Sequence, residues 1–410
     1  MLPSPLPAVR AHLAFAASAC GVILLNGCAA TPAATPQPRE ESATAVAGPE
    51  EVARAQRSLA VVDSAGALTL TNLVETTPPA AIAGGAHTEV TALRSDGRFL
   101  FRVSGDGAHT RIDVVDSGVW TAPHGEHTHS YRAPSREISG AITGTGPAHV
   151  RSTVYDTTVA FPAEGTVYVL DAETLADGEI GEPQVIATAA HEGLRATPYA
   201  GVTLVTVREG EDTVIAAFDA DGERMAPTAP CPEPRDVEVT DAAAVFLCAD
   251  AAVVTTRTRG ELAFDTVPLP AAAGPALLRG HGDALVGIGA AGDLWRLDVR
   301  NHVWTSAETV APLRAAIGVD DDEVAAVAVD AEGRAVTVDH DGAVRATSAP
   351  IVPRSARAEP SPSIRMVTDD DGVYVLGADD DVVAIVDYRD TELTAVTVAA
   401  SSPEDLALVG

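Results

Sequence analysis

The chain of 410 residues contains no lysine; all 27 of its basic residues are arginine. A GC-rich genome is the simplest account, but the chemical consequence stands. No phosphate-loop lysine, lysine Schiff base or Ser-x-x-Lys nucleophile can be built. Aromatic residues make up only 4% of the chain, so any core must be packed from Val, Ala, Leu and Ile. Helical periodicity is nearly absent, and after the first 28 residues no apolar run reaches the 18 or so residues of a membrane span. There is no Gly-x-Ser-x-Gly elbow, no His-Glu-x-x-His and no glycine-rich phosphate loop, which argues against the common hydrolases and nucleotide enzymes. Basic charge is scarce as well. With 58 acids the net charge is −31, which argues against nucleic acid as a partner and favours long-range attraction of cations. What is present is 46% hydrophobic residues against 21% charged, enough for a packed body.

The first residues carry an address. Arg10 precedes the apolar run AHLAFAASACGVILL, which ends in Leu25-Asn26-Gly27-Cys28. That tetrapeptide resembles the lipobox of bacterial lipoproteins, which implies cleavage before Cys28 and lipidation of its thiol. Residues 1–27 are then a signal peptide. Residues 28–56, rich in Ala, Pro, Thr and Glu, read as a solvated tether, and 57–410 as the folded body. The expected location is extracytoplasmic, held by lipid to the outer face of the cell membrane. Cys20 leaves with the signal, so Cys231 and Cys248 remain. An even pair in an oxidising compartment reads as a disulfide, expected between adjacent strands of one sheet; two free thiols are the alternative.

From residue 58 onward one pattern recurs eight times: an apolar strand, a Gly or Asp turn, and a second apolar strand. SLAVVDSAGALTL, VTLVTVREGEDTVIAAFDADGE and VAAVAVDAEGRAVTVDHDGAV are three examples. One strand of most units ends on Asp: Asp63, Asp116, Asp171, Asp219, Asp298, Asp339 and Asp387. Gly and Asp tolerate the backbone that tight hairpins require. A strand-only repeat of roughly 40–55 residues fits one four-stranded propeller blade. The expected fold is all-β, a single β-propeller of seven or eight four-stranded blades, with small residues on the innermost strands. Two stacked β-sandwiches are the alternative.

Three of the eleven histidines fall within six residues, in WTAPHGEHTHSYR. His127 and His129 share a side if the segment is extended. With His124, and an oxygen from Glu126, they form a donor set suited to zinc; a polar loop that merely contains histidine is the alternative. His87, His191 and His281 precede repeats and could meet near a common axis. His109, His149, His302 and His340 read as isolated. The acidic runs 320–323, 369–371 and 379–381 lack EF-hand spacing and read as solvated turns.

The order GDG, R-x-x-V-x-D-x-G-x-W from Arg111 to Trp120, then PHGEHTHSYR, resembles the periplasmic zinc metallochaperones of the AztD type. More distant matches are Ala190-His191-Glu192-Gly193, Cys231-Pro232 with Cys248, and the terminal SSPEDLALVG. The resemblance implies a β-propeller associated with a zinc ABC importer, which stores zinc and passes it to the importer's solute-binding protein. It implies metal ligation by His124, His127 and His129 with Glu126, and by His191 with Glu192. The chain also departs from the family. The family pattern has two adjacent histidines where this chain has His191-Glu192, and a His-Gly-Glu where it reads CPEPRDVE, with Arg235 set to oppose a cation. Two further readings stand beside zinc delivery: a metal-independent interaction disc and, less supported by motif, a propeller hydrolase or lactonase. The non-enzymatic readings are preferred.

Overall fold

In a computed structural model the chain is described over residues 48–75, 77–82, 90–124, 127–270, 274–282, 284–307, 311–358, 363–389 and 393–410. The signal peptide, Cys28, His87 and Glu126 lie outside these residues. Among the described residues eight antiparallel blade sheets follow one another in chain order, with the first strand innermost in blades 2 to 8. Blade 1 is built from Ser58–Asp63, Leu68–Asn72 and Ala80–Ile82. Blade 2 opens with Val90–Ser95, blade 3 with His149–Ser152, blade 4 with Ala196–Tyr199 and blade 5 with Asp236–Val239. Blades 6, 7 and 8 open with Arg279–His281, Leu313–Gly318 and Ile364–Thr368. The architecture is an all-β propeller of eight blades, each corresponding to one of the eight repeated hairpin units.

The ring is closed by the end of the chain. Pro403–Val409 pairs antiparallel with Ser58–Asp63, so the innermost strand of blade 1 comes from the far end of the sequence. It packs in turn against the first strand of blade 2. Asp at the strand ends has a mechanism. The Asp63 carboxylate accepts from the N–H groups of Ala65 and Ala67, Asp219 from Asp221 and Glu223, and Asp339 from Asp341 and Ala343. Each side chain supplies the acceptor that turns the chain into the next strand.

The apolar residues form eight clusters, one between each pair of neighbouring blades. Between blades 2 and 3, for example, Phe99, Phe101 and Ile112 meet Val159, Phe161 and Leu170. Blades 8 and 1 meet through Leu376, Val383, Leu59 and Leu406. The small side chains the composition demands are largely buried here, with Ala60, Ala160, Ala216, Ala252, Ala328 and Ala384 fully enclosed.

Two expectations are corrected. The disulfide is present, with Cα atoms 5.2 Å apart, but it does not join strands of one sheet. Cys231 follows the outermost strand of blade 4, Arg224–Pro230, and Cys248 follows the second strand of blade 5, Ala244–Leu247, so the bridge fastens two blades. The innermost strands are also not simply small: most carry an arginine at or beside them.

Deleting Pro403–Gly410 should abolish the cooperative thermal transition followed by circular dichroism; a truncated chain that melts like the full one would refute closure by this strand. Replacing both Cys231 and Cys248 by Ser should lower stability by about 3 kcal/mol, the chain-entropy value for a loop of 17 residues, read by denaturant unfolding.

Candidate metal site and charged axis

The histidine segment is a hairpin inserted in blade 2. Val119–His124 and His127–Arg132 pair with His124 opposite His127 and Ala122 opposite His129. Directly opposed residues and residues two apart share a face of an antiparallel ribbon. Positions 124, 127 and 129 therefore lie on one face. A third strand, Glu50–Val52, joins the edge, with Glu51 opposite Tyr131. This strand falls inside the stretch read as tether; alternation and the free edge of the hairpin give it a partner.

The motif around the hairpin explains its anchorage. Asp116 takes Arg98 in a fork, Nε at 3.2 Å and Nη2 at 2.8 Å, and accepts the Gly118 N–H. The Arg98 guanidinium lies 3.8 Å over the Trp120 ring, and Trp120 stacks on Tyr131 at 5.3 Å. Gly118 has φ of 78°, and a Cβ there would come within 2.2 Å of the Ala133 carbonyl oxygen. The chain can leave and re-enter blade 2 through so narrow a base only with glycine at this position.

Glu51 was missed by sequence reasoning. Its carboxylate accepts a 2.6 Å hydrogen bond from His129 Nδ1. That contact favours the tautomer protonated on Nδ1, in which Nε2 carries the lone pair, the arrangement that carboxylates impose on metal-binding imidazoles. Only the pairing of residue 51 with residue 131 reveals it, because 78 positions separate the two side chains.

The second expected position is different in kind. His191 is buried, and its Nε2 donates to the Thr206 carbonyl oxygen at 3.1 Å. Burial pushes its pKa down, and Arg208 and Arg195 add to the effect against the Thr206 bond. Glu192 is exposed. Both line a cleft of about 1050 Å³ beside blade 4 and the loop that leads to blade 5, whose charged lining is mixed: Arg195, Arg208 and Arg235 against Glu192, Glu211, Asp212 and Glu233. The three guanidinium groups oppose a cation there, and the four carboxylates are not gathered with His191 into a metal-binding group. Among the described residues no three His, Cys, Asp or Glu side chains are gathered closely enough to hold a metal; the side chains of His124 and His127 are not among those described.

Convergence on the axis does occur, but of arginines. Buried apolar residues followed by Arg recur at Leu93-Arg94, Val150-Arg151, Leu194-Arg195, Leu278-Arg279, Leu313-Arg314 and Ile364-Arg365, with Pro234-Arg235 in blade 5. Five of these guanidiniums return an Nη1 bond to the carbonyl just before them, at Arg94, Arg151, Arg195, Arg279 and Arg365. Asp236 is held from both sides, by Arg151 at 2.8 Å and Arg279 at 2.8 Å. Across the ring Asp405 repeats the device with Arg94 at 2.9 Å. Both aspartates also accept the N–H of the apolar residue of the next blade, Leu278 and Leu93. The signal was available as the repeated apolar-Arg pair preceding the hairpins.

The remaining histidines take separate places. His149, read as isolated, is on the innermost strand of blade 3 and feels this charge: burial, then Arg195 and Arg151, push its pKa down to about 4, against Asp236. His281 faces Asp370 at 3.4 Å, and His340 bonds the Asp321 carbonyl oxygen at 2.8 Å. The acidic runs act as turns, Asp321 accepting from Glu323 and Val324, and Asp369 from Asp371 and Gly372.

No family model matches the chain, and no curated protein matches it either. Solved structures do. The structure of apo AztD from Citrobacter koseri superposes with a TM-score of 0.71 at 14% identity, covering 86% of this chain and 97% of that one. A second structure of Citrobacter koseri AztD gives the same score and identity, with 98% of that chain covered. BamB from Moraxella catarrhalis follows at 0.47 and 13% identity, over 81% of this chain and 96% of its own. The likeness to AztD first drawn on the histidine segment thus extends to the fold of the whole body.

A folded-state pKa of about 4 for His149 lies below its ordinary value near 6.5, so the native state binds fewer protons than the unfolded one between these values. Stability linked to this residue is present above about pH 6.5 and lost toward pH 4. The drop in Tm over that range should be smaller in His149→Asn than in the parent; equal drops would remove His149 from the account.

Proposed function

We propose that this protein is an extracytoplasmic zinc-binding lipoprotein, anchored through Cys28, that captures zinc on the hairpin of blade 2 and passes it to the solute-binding protein of a zinc ABC importer. The observation that carries this reading is the register that sets His124, His127 and His129 on one face, with Glu51 holding His129 in the tautomer that offers Nε2. Neutral imidazoles are good ligands for Zn²⁺, and a site on a protruding hairpin can be reached by a partner without opening the propeller. Capture needs no bond made or broken, so no catalytic base is assigned.

The reading is narrower than storage. The cleft holding His191 and Glu192 mixes three arginines with four acids and gathers no metal-binding group, and the axis is arginine-lined, so one exchangeable zinc on the hairpin is favoured over an enclosed second ion. Metal-free protein titrated with Zn²⁺ against a chromophoric competitor should bind one equivalent. Replacing His124, His127 and His129 together by Ala should abolish that binding, and Glu51→Gln should weaken it several-fold with unchanged stoichiometry. Tight binding that survives the triple substitution would place the metal elsewhere. Absence of binding would leave a metal-independent interaction disc as the better account, with partner capture unaffected by chelator.

A further inference from the structure

We propose that the axis of the propeller is a binding site for a small multivalent oxyanion, a phosphate or a di- or tricarboxylate. Seven of the eight blades place an arginine at or just before the innermost strand, in a molecule whose net charge is −31 and which is short of basic residues everywhere else. About a quarter of all its cations are thus spent on one feature.

The arrangement presents positive charge inward. Arg94, Arg279 and Arg365 keep 39, 35 and 49% of their side-chain surface open, whereas Asp405 and Asp236, which they approach, keep 4 and 9%. The carboxylates stand behind and the guanidiniums in front. Burial is nonetheless the first influence on both, lowering the pKa of Arg94, whereas at Arg279 the Asp236 and Glu238 carboxylates outweigh it and raise the pKa. Side chains that water reaches, yet that the protein largely surrounds, face an internal channel rather than the outer surface. Arg94 is repelled by Arg151 and Arg279, and Glu238, the other acid here, is pushed toward its neutral form by burial.

The acids do not balance the ring. Among the described residues Asp236, Glu238 and Asp405 are the carboxylates within ion-pair reach of it. Arg195 gives its described hydrogen bonds to backbone carbonyls of Glu192, Leu194 and Arg235. Arg314 is exposed and has no acidic partner among the described residues. Arg195 and Arg235 also border the cleft of about 1050 Å³ beside blade 4, but its lining includes Glu192, Glu211, Asp212 and Glu233 as well, so the ligand is placed at the axis rather than in that cleft. Guanidinium forks match the paired oxygens of carboxylate and phosphate, and enclosure strengthens each contact. One charge is not enough: several separated guanidiniums favour an anion that can meet more than one of them.

The test is calorimetric titration of the metal-free, purified full chain at low salt with citrate, with inorganic phosphate, and with chloride as a monovalent control. Saturable one-to-one binding of citrate or phosphate, at least tenfold weakened in Arg314→Gln/Arg365→Gln, supports the site, and the titrant that binds tells a carboxylate from a phosphate ligand. The chosen pair leaves Arg94 on Asp405 and both arginines on Asp236, and an unchanged Tm without ligand verifies that the fold is kept. The proposal fails if neither polyanion binds saturably, if chloride competes at equal concentration, or if the substituted protein binds as the parent does. A Tm rise with citrate or phosphate in the parent, absent from the variant, gives the same answer should the variant prove less stable.

Discussion

Everything in this molecule depends on one pairing, that of Pro403–Val409 with Ser58–Asp63. Each blade is a small sheet that cannot bury its own apolar faces; it buries them only against its neighbours. The eight interface clusters are therefore one cooperative system, and a gap anywhere would expose two faces at once. Closure by main-chain hydrogen bonds to a strand from the opposite end of the chain removes that gap. It also sets the geometry of the axis, because Asp405, on the closing strand, is the acid that holds the Leu93 N–H and the Arg94 guanidinium of the next blade.

The hairpin units were legible in the sequence because their chemistry is local. Alternating Val, Leu and Ala define the strands, and Asp63, Asp219 and Asp339 fold the turns with their own side chains. Eight units became eight blades. The innermost strands were less legible, since ATPY or RGH is short, mixed in character and recognisable only through the partner that follows it. The disulfide was read correctly as a pair but assigned to one sheet, because the segment between Cys231 and Cys248 resembles a hairpin when the boundary between blades 4 and 5 is not known. Within the candidate site the three histidines announced themselves by spacing. Glu51 did not, since its contact with His129 is created entirely by the docking of a distant strand.

Charge is divided by place. The acidic excess lies in turns and loops, where Asp residues cap the backbone and stay in water. The arginines are drawn to the axis, where repeat geometry brings equivalent positions together. The absence of lysine sharpens this division, because a guanidinium can bond a backbone carbonyl and a carboxylate at once from one planar group. Arg279 does so, reaching the Leu278 carbonyl oxygen and Asp236 through the same Nη1.

The strand Glu50–Val52 also has a mechanical meaning. It is the edge of the histidine ribbon and, at the same time, the part of the body nearest in sequence to Cys28. A pull applied to the chain ahead of residue 50 loads this three-residue strand before it reaches blade 1. Peeling it away would take Glu51 from His129 and release the imidazole to turn. Tension on the leading end of the chain and the orientation of the His129 ring are thereby joined through one short stretch of backbone.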